Sequence, residues 1–361
     1  MCHGEAVHLD VLHVLSSNQR RGAEAFGYDL HRALRERGLR SEVRCLEPAE
    51  AEPRLPVAVF GKSRFSPTGL RALRRSAKQA RVVVAHGSNT LLACGAGLVA
   101  TGVPYVYTSI GDPRYWAGTS LRRTRARWLI RRAAAVVAIS PGAHEILVQH
   151  YRLDPRRVHV IPNGRSAADF APSDFRRRQA ARKQLGLPAT VDLVAVVGAL
   201  SPEKRVDDAI TAVARLPDVA LVIAGDGPER PALETLAHRV APGRVYFLGA
   251  TAGAATVLAA ADVLVLSSAS EGVPGVLIEA GLSGLPVVAT DVGWVRDVVR
   301  PDDTGLLVPP ARPDLLADAL RRALTEHGAM GRAAREHCVA AFDMVKVVDR
   351  WQGMLEGVAR P

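Results

Sequence analysis

The sequence predicts an α/β protein made of two Rossmann-like domains, each with a parallel sheet. Three observations carry that prediction. Short β-branched runs alternate with longer stretches of helical period, and strands separated by helices pair in parallel. The alternation runs twice, broken by a polar, loop-like stretch from Ile161 to Pro172. The length, 361 residues, gives room for two cores at roughly 100–200 residues per domain.

The first series opens with the strand-like run Val7–Val14, followed by a helical segment from Ala23 to Gly38, with Gly38 as its C-terminal cap. Strands follow at Ser41–Leu46 and Val57–Phe60, then a helix at Thr68–Gln79 and a strand at Val82–Ala85. A helix at Asn89–Thr101 and strands at Tyr105–Thr108 and Ala135–Ile139 complete the series. The second series starts with a polar helix at Asp174–Leu185. Its strands are Leu193–Val197, Ala220–Ala224, Val245–Leu248, Val263–Leu266 and Val287–Thr290, with helices between them. The first domain is therefore expected at residues 1–165 and the second at 166–342. The last helical stretch, 343–361 with Trp351, is expected to return to the first domain. In open α/β sheets ligands sit beyond the carboxyl ends of the strands, so two such domains are expected to face a common cleft.

Composition narrows the class. With 48% hydrophobic and 23% charged residues the chain is globular, not disordered. The net charge is +11, which suits an anionic partner such as nucleic acid, a membrane surface or a phosphorylated substrate. Only five of the 47 basic residues are lysine, and so strong an arginine bias accounts for part of the charge. No helix-turn-helix or RNA-binding aromatic signature is present, and 5% aromatic content argues against stacking on single strands. Cys2, Cys45, Cys94 and Cys338 show no paired spacing, so neither disulfides nor a zinc site is expected. No basic-then-apolar leader and no apolar run near the roughly 18 residues of a membrane span is visible. A cytoplasmic setting is expected. The arginine-rich stretch Leu121–Arg132 carries Trp128 and suits peripheral contact with the inner membrane face.

The most informative segment is Ser267-Ser268-Ala269-Ser270-Glu271-Gly272-Val273-Pro274-Gly275-Val276-Leu277-Ile278-Glu279-Ala280. It leaves a strand, turns through Gly and Pro, and enters a helix whose free first-turn N–H groups suit a phosphate. Glu271 lies before the turn and Glu279 about one turn inside. A loop carboxylate can accept from sugar hydroxyls and favour positive charge on a reacting sugar, and one inside the helix can accept from ribose hydroxyls.

This segment resembles the E-x7-E motif of the retaining glycosyltransferases of sequence family 4, which have the GT-B fold. The resemblance extends over Val197-Gly198-Ala199-Leu200-Ser201-Pro202-Glu203-Lys204, Ile223-Ala224-Gly225-Asp226-Gly227-Pro228-Glu229 and Val245-Tyr246-Phe247-Leu248-Gly249. It also takes in Pro286–Gly293 and Val160-Ile161-Pro162-Asn163-Gly164 through Phe170. It implies a metal-independent enzyme, without cofactor, that moves a hexose or N-acetylhexosamine from a nucleotide sugar, commonly UDP-linked, to a hydroxyl-bearing acceptor. By resemblance Glu271 contacts the donor sugar, Glu279 binds the ribose and Lys204 neutralises the diphosphate. Gly22, Gly198, Arg205, Gly272, Gly275, Val276, Leu277, Arg244 and Val245 are the further donor-side residues it implies. His86, Thr108 and Asp112 are the acceptor-side residues.

The chain departs from the family at two points. Ala199 stands where an arginine is usual, with Arg205 as the candidate replacement, and Ile110 stands where a histidine is usual. These departures leave open a sugar-nucleotide-binding protein without turnover. The charge leaves open a basic nucleic-acid-binding protein, whose mark would be salt-dependent binding to random DNA.

Overall fold

The computed structural model describes residues 9–19, 22–50, 54–111, 120–250 and 254–359. The chain divides into two compact units, the first formed by residues 1–164 and 344–361, the second by residues 165–343.

Among the described residues of the first unit, seven parallel strands run in the order β3-β2-β1-β4-β5-β6-β7. They are β1 (Leu9–Ser17), β2 (Ser41–Glu47), β3 (Ala58–Val59), β4 (Ala80–His86), β5 (Tyr105–Ser109), β6 (Ala135–Ala138) and β7 (Val158–Val160). The helices between them are α1 (Gly22–Glu36), α2 (Pro67–Lys78), α3 (Ser88–Gly97), α4 (Ser120–Arg131) and α5 (Pro141–Gln149). Central strands buried on both faces read as continuous apolar runs, and Val82, Val83 and Val84 are at most 1% exposed. Local chemistry sets the helix starts. Ser66 and Ser140 each accept a hydrogen bond from the third residue of α2 and α5, and each is followed by proline.

Among its described residues the second unit has six parallel strands in the order β10-β9-β8-β11-β12-β13. These are β8 (Asp192–Val197), β9 (Val219–Ala224), β10 (Val245–Gly249), β11 (Val263–Leu266), β12 (Val287–Thr290) and β13 (Gly305–Val308). Its helices are α6 (Phe175–Leu185), α7 (Val206–Ala214), α8 (Arg230–Val240), α9 (Ala255–Ala260), α10 (Gly275–Leu282) and the 30-residue α11 (Pro313–Phe342). The two Rossmann-like units thus have the parallel topology expected. Asp262 anchors the start of β11, accepting from Arg178, from Arg182 and from the Leu193 N–H. Arg182 and Asp262 are 4% and 8% exposed at their side chains, so removing Asp262 would leave the Arg182 charge buried without a counter-ion.

After the second unit the chain returns to the first as α12 (Met344–Val358). Val347, Val348, Trp351 and Leu355 enter one core cluster with Phe26 and Leu30 of α1 and Val82 and Val84 of β4. Trp351 is fully buried there.

Three elements carry weaker signals in the sequence. β7 is three residues long, β13 begins at Gly305, and α5 starts from a bare Ser-Pro step. Of the expected first strand, Val7 and His8 lie outside the described residues.

Candidate functional site

In the second unit the loops after β8 and β11 leave the carboxyl ends of neighbouring strands, and hydrogen bonds stitch them together. The Ala269 N–H donates to the Glu203 carbonyl at 2.8 Å, and the Ser267 hydroxyl donates to the Lys204 carbonyl at 3.0 Å. Thr290, at the end of β12, donates to the Ser268 carbonyl at 2.6 Å. Gly293, with φ +56°, lets the next loop close on Glu271, because a Cβ there would strike the Glu271 carbonyl.

This scaffold brings Lys204 and Glu271 together across 67 residues of sequence. Lys204 Nζ lies 2.7 Å from Glu271 Oε1, and the Ser268 hydroxyl donates to the same oxygen at 2.6 Å. The Glu271 side chain is 9% exposed and that of Lys204 28%, so the carboxylate is held from beneath while the ammonium reaches solvent. A fixed carboxylate beside a cation suits a reaction in which positive charge grows on one centre as negative charge leaves it.

Four residues after Glu271, α10 begins at Gly275. Gly272, Gly275 and Val276 are partly exposed at its start. Glu279, one turn in, accepts from Arg165 Nε at 2.7 Å. Arg165 is the first residue of the second unit, and its backbone N–H donates to the Phe342 carbonyl. Gly198 follows β8, partly exposed, at the carboxyl end of the same sheet.

The structure turns several expected residues elsewhere. Arg205, the candidate replacement for an arginine at 199, binds Asp208 through both Nε at 2.6 Å and Nη2 at 3.0 Å. Its guanidinium braces the first turn of α7, and the bond to Asp208 raises its pKa. Val245 begins β10 and Arg244 precedes it, so both stand at the amino end of that strand. Arg244 Nη1 donates to the carbonyls of Val213, Leu216 and Val219, which makes it a clamp on the turn after α7. Leu277 is 1% exposed and its N–H donates to the Pro274 carbonyl at 3.1 Å.

In the first unit Gly22 opens α1 and is exposed, with open space where a side chain would be. Thr108, the last residue but one of β5, is fully buried. His86, expected to face a ligand from the end of β4, is 2% exposed and points into the core. Its Nε2 lies 3.0 Å from His13 Nδ1, and the two rings stack at 5.3 Å. Burial pushes the His86 pKa down to about 3, and burial and the His86 charge lower His13 well below its usual value. Both rings are neutral near pH 7. Asp112 lies outside the described residues.

Two site residues escaped the sequence reading. Ser268 sits inside the segment singled out, but only the fold shows that its hydroxyl meets Glu271. Arg165 is separated from Glu279 by 114 residues, and no local pattern links them. Among the described residues no group of three or more His, Cys, Asp or Glu side chains is placed to hold a metal ion.

Two family models match the chain. One, described as glycosyl transferases group 1, matches residues 177–338. The other, described as glycosyltransferase family 4, matches residues 20–168. A D-inositol 3-phosphate glycosyltransferase from Mycobacteroides abscessus is 35% identical over 64% of this chain and 53% of its own length. The chain thus spans about half the length of that relative. An alpha-maltose-1-phosphate synthase from Mycolicibacterium smegmatis is 29% identical over 76% of this chain and 78% of its own. The Anabaena protein Alr3699/HepE, solved in complex with UDP and glucose, shares the fold with a TM-score of 0.84 at 24% identity, over 97% of this chain and 100% of that one.

Proposed function

Because this chain belongs to the family 4 glycosyltransferases of the GT-B fold, we propose that it transfers a hexose or N-acetylhexosamine from a nucleotide sugar to an acceptor hydroxyl, with retention and without a metal. The observation that carries this reading is the Lys204–Glu271 pair beyond the carboxyl ends of β8 and β11, next to the start of α10.

The second unit binds the donor. Lys204 and the α10 start offset the charge of the departing nucleoside diphosphate, Glu271 stands beside the sugar, and Glu279 accepts from the ribose. The bond from the anomeric carbon to the phosphate oxygen breaks as the acceptor oxygen bonds to that carbon. The acceptor proton passes to the leaving phosphate oxygen. The first unit supplies acceptor recognition, with Thr108 near the end of β5 as the described acceptor-side candidate, and Gly22 at the start of α1 approaches the donor. UDP is the first nucleotide to test, since the Anabaena neighbour binds UDP and UDP-glucose. Peripheral contact with an anionic membrane through α4 completes the reading, supported by its arginines and by Trp128, which is 54% exposed.

The test is a panel of nucleotide sugars assayed for binding and for slow hydrolysis. Glu271→Ala should bind donor yet lose about 100-fold or more in turnover. Glu279→Ala should mainly weaken nucleotide binding, by about 1.5–3 kcal/mol. Parental turnover in purified Glu271→Ala would remove the catalytic assignment. Donor binding with no hydrolysis or transfer would favour a sugar-nucleotide-binding protein, in keeping with Ala199 and Ile110.

A further inference from the structure

We infer that Arg165 is a positioning residue for the donor: it fixes the Glu279 carboxylate for the ribose hydroxyls, and Gly275 is glycine to admit it. The inference rests on the donor reading above.

The Arg165 side chain is 9% exposed and that of Glu279 17%, with Nε 2.7 Å from Oε1. A free glutamate on a helix surface samples several rotamers, and ordering it on binding costs free energy. A guanidinium bonded to one carboxylate oxygen removes that freedom in advance and leaves the other oxygen to accept. The arginine comes from outside the helix. It opens the second unit, and its backbone is tied to the last residue of α11 through the Phe342 carbonyl.

The guanidinium lies over the first residue of α10. An ideal Cβ on Gly275 would fall 2.5 Å from Arg165 Nη2 and 3.3 Å from Cζ. A cation is unfavourable at a helix N-terminus, where the dipole is positive. Glu279 is the carboxylate that holds it there. Arg165, Gly275 and Glu279 therefore act as one unit, in which the glycine makes the space, the arginine fills it and the glutamate is oriented.

Discrimination between ribose and its deoxy forms tests this. Binding of UDP, 2′-deoxy-UDP and 3′-deoxy-UDP to the full chain is measured by calorimetry for the parent, R165Q, R165K and G275A. GDP, ADP and TDP, with their 2′-deoxy or ribose counterparts, are used if UDP is not the base bound. The parent should prefer the ribonucleotide. R165Q should weaken the ribonucleotide about 10- to 100-fold and the deoxy form that lacks the contacted hydroxyl far less, so the preference collapses. R165K should restore part of it. G275A should mimic R165Q without loss of thermal stability, because alanine favours the helix and the obstructing atom is the end of a flexible side chain. In an E279Q background, R165Q should add little. A loss equal for ribo and deoxy forms, or a preserved preference in R165Q and G275A, would overturn the inference while leaving the donor reading intact. A parent that binds but does not discriminate would remove the ribose role of Glu279. A parent that binds no nucleoside diphosphate would remove the donor reading, and either result takes this inference with it.

Discussion

Two buried histidines give the first unit a built-in response to acid. His13 and His86 share one hydrogen bond inside the core, and His31 stands edge-on to His13 at 6.1 Å. Burial, with the neighbouring histidine charge at His13, lowers the pKa of both, to about 3 for His86. The unfolded chain takes up these protons near pH 6.5, whereas the folded chain resists them to much lower pH. Stability is therefore complete above about pH 6.5 and falls as pH drops below it, by about 1.4 kcal/mol per pH unit for each histidine. Urea unfolding at pH 7.5 and 5.5, read by exchange of the β1 and β4 amides, should show the lower midpoint at pH 5.5. The His13→Phe, His86→Phe double variant should narrow that gap. Equal midpoints for the parent at both pH values would sink the idea. The same residues show what a linear reading cannot see. His86 ends a strand, where ligands are met, but the side on which its ring lies is decided by packing against His13 and Phe26. Arg205 and Arg244 read alike as cations near donor motifs. Asp208 claims one and three backbone carbonyls claim the other.

At the scale of elements, α12 completes the core of the first unit. It is the last element in sequence, yet Trp351 is fully buried among Phe26, His86 and the β4 valines. Trp351→Ala should cost about 3–5 kcal/mol through lost burial and the cavity left behind. The loss should be confined to its own unit. Amides of β1, β4 and β6 should exchange faster, while those of β8, β11 and β12 keep their protection. Faster exchange in both sheets would contradict two separate cores. Strands buried on both faces, such as β4 and β9, are legible because burial imposes a continuous apolar run. Elements held by their neighbours, such as β7 and β13, are not. The E-x7-E segment was legible as a loop entering a helix, since Gly, Pro and the apolar period mark it. The partners of its carboxylates, Lys204, Ser268 and Arg165, were set by the sheet order and by the return of the chain through α11.

Across the whole molecule the charge is divided unevenly. Residues 165–343 contain 19 basic and 22 acidic residues, leaving 28 basic and 14 acidic in the first unit. Arginine bias acts on the whole chain and explains why arginine replaces lysine in both units. It does not explain why the second unit is nearly balanced while the first carries the entire surplus. A donor diphosphate calls for only one or two cations on the second unit, so the proposed donor site does not account for the surplus on the first. Within that unit α4 gathers Arg122, Arg123, Arg125, Arg127 and Arg131, and none of its first-turn residues is acidic. Desolvation first, and then the charges of Arg131 and Arg152, lower the pKa of Arg127. Trp128 stands among them, with Arg132 over its ring at 4.9 Å. An apolar hollow of about 380 Å³ lies beside it, lined by Leu92, Ala96, Thr124, Arg125, Trp128 and Leu129. Charge that concentrates counter-ligands and an indole at the surface together suit an anionic bilayer. The parental chain should therefore co-sediment with vesicles containing phosphatidylglycerol and not with pure phosphatidylcholine vesicles. Raising salt from 0.05 to about 0.5 M should release most of it, as the Debye length shortens to a few ångströms. Replacing Arg123, Arg125 and Arg127 with glutamine, or Trp128 with alanine, should reduce binding severalfold without changing hydrolysis of the nucleotide sugar, because the proposed donor residues Lys204, Glu271 and Glu279 lie on the other unit. Equal sedimentation with both vesicle types, or binding to random duplex DNA of matching salt dependence, would assign the surplus to something other than a membrane.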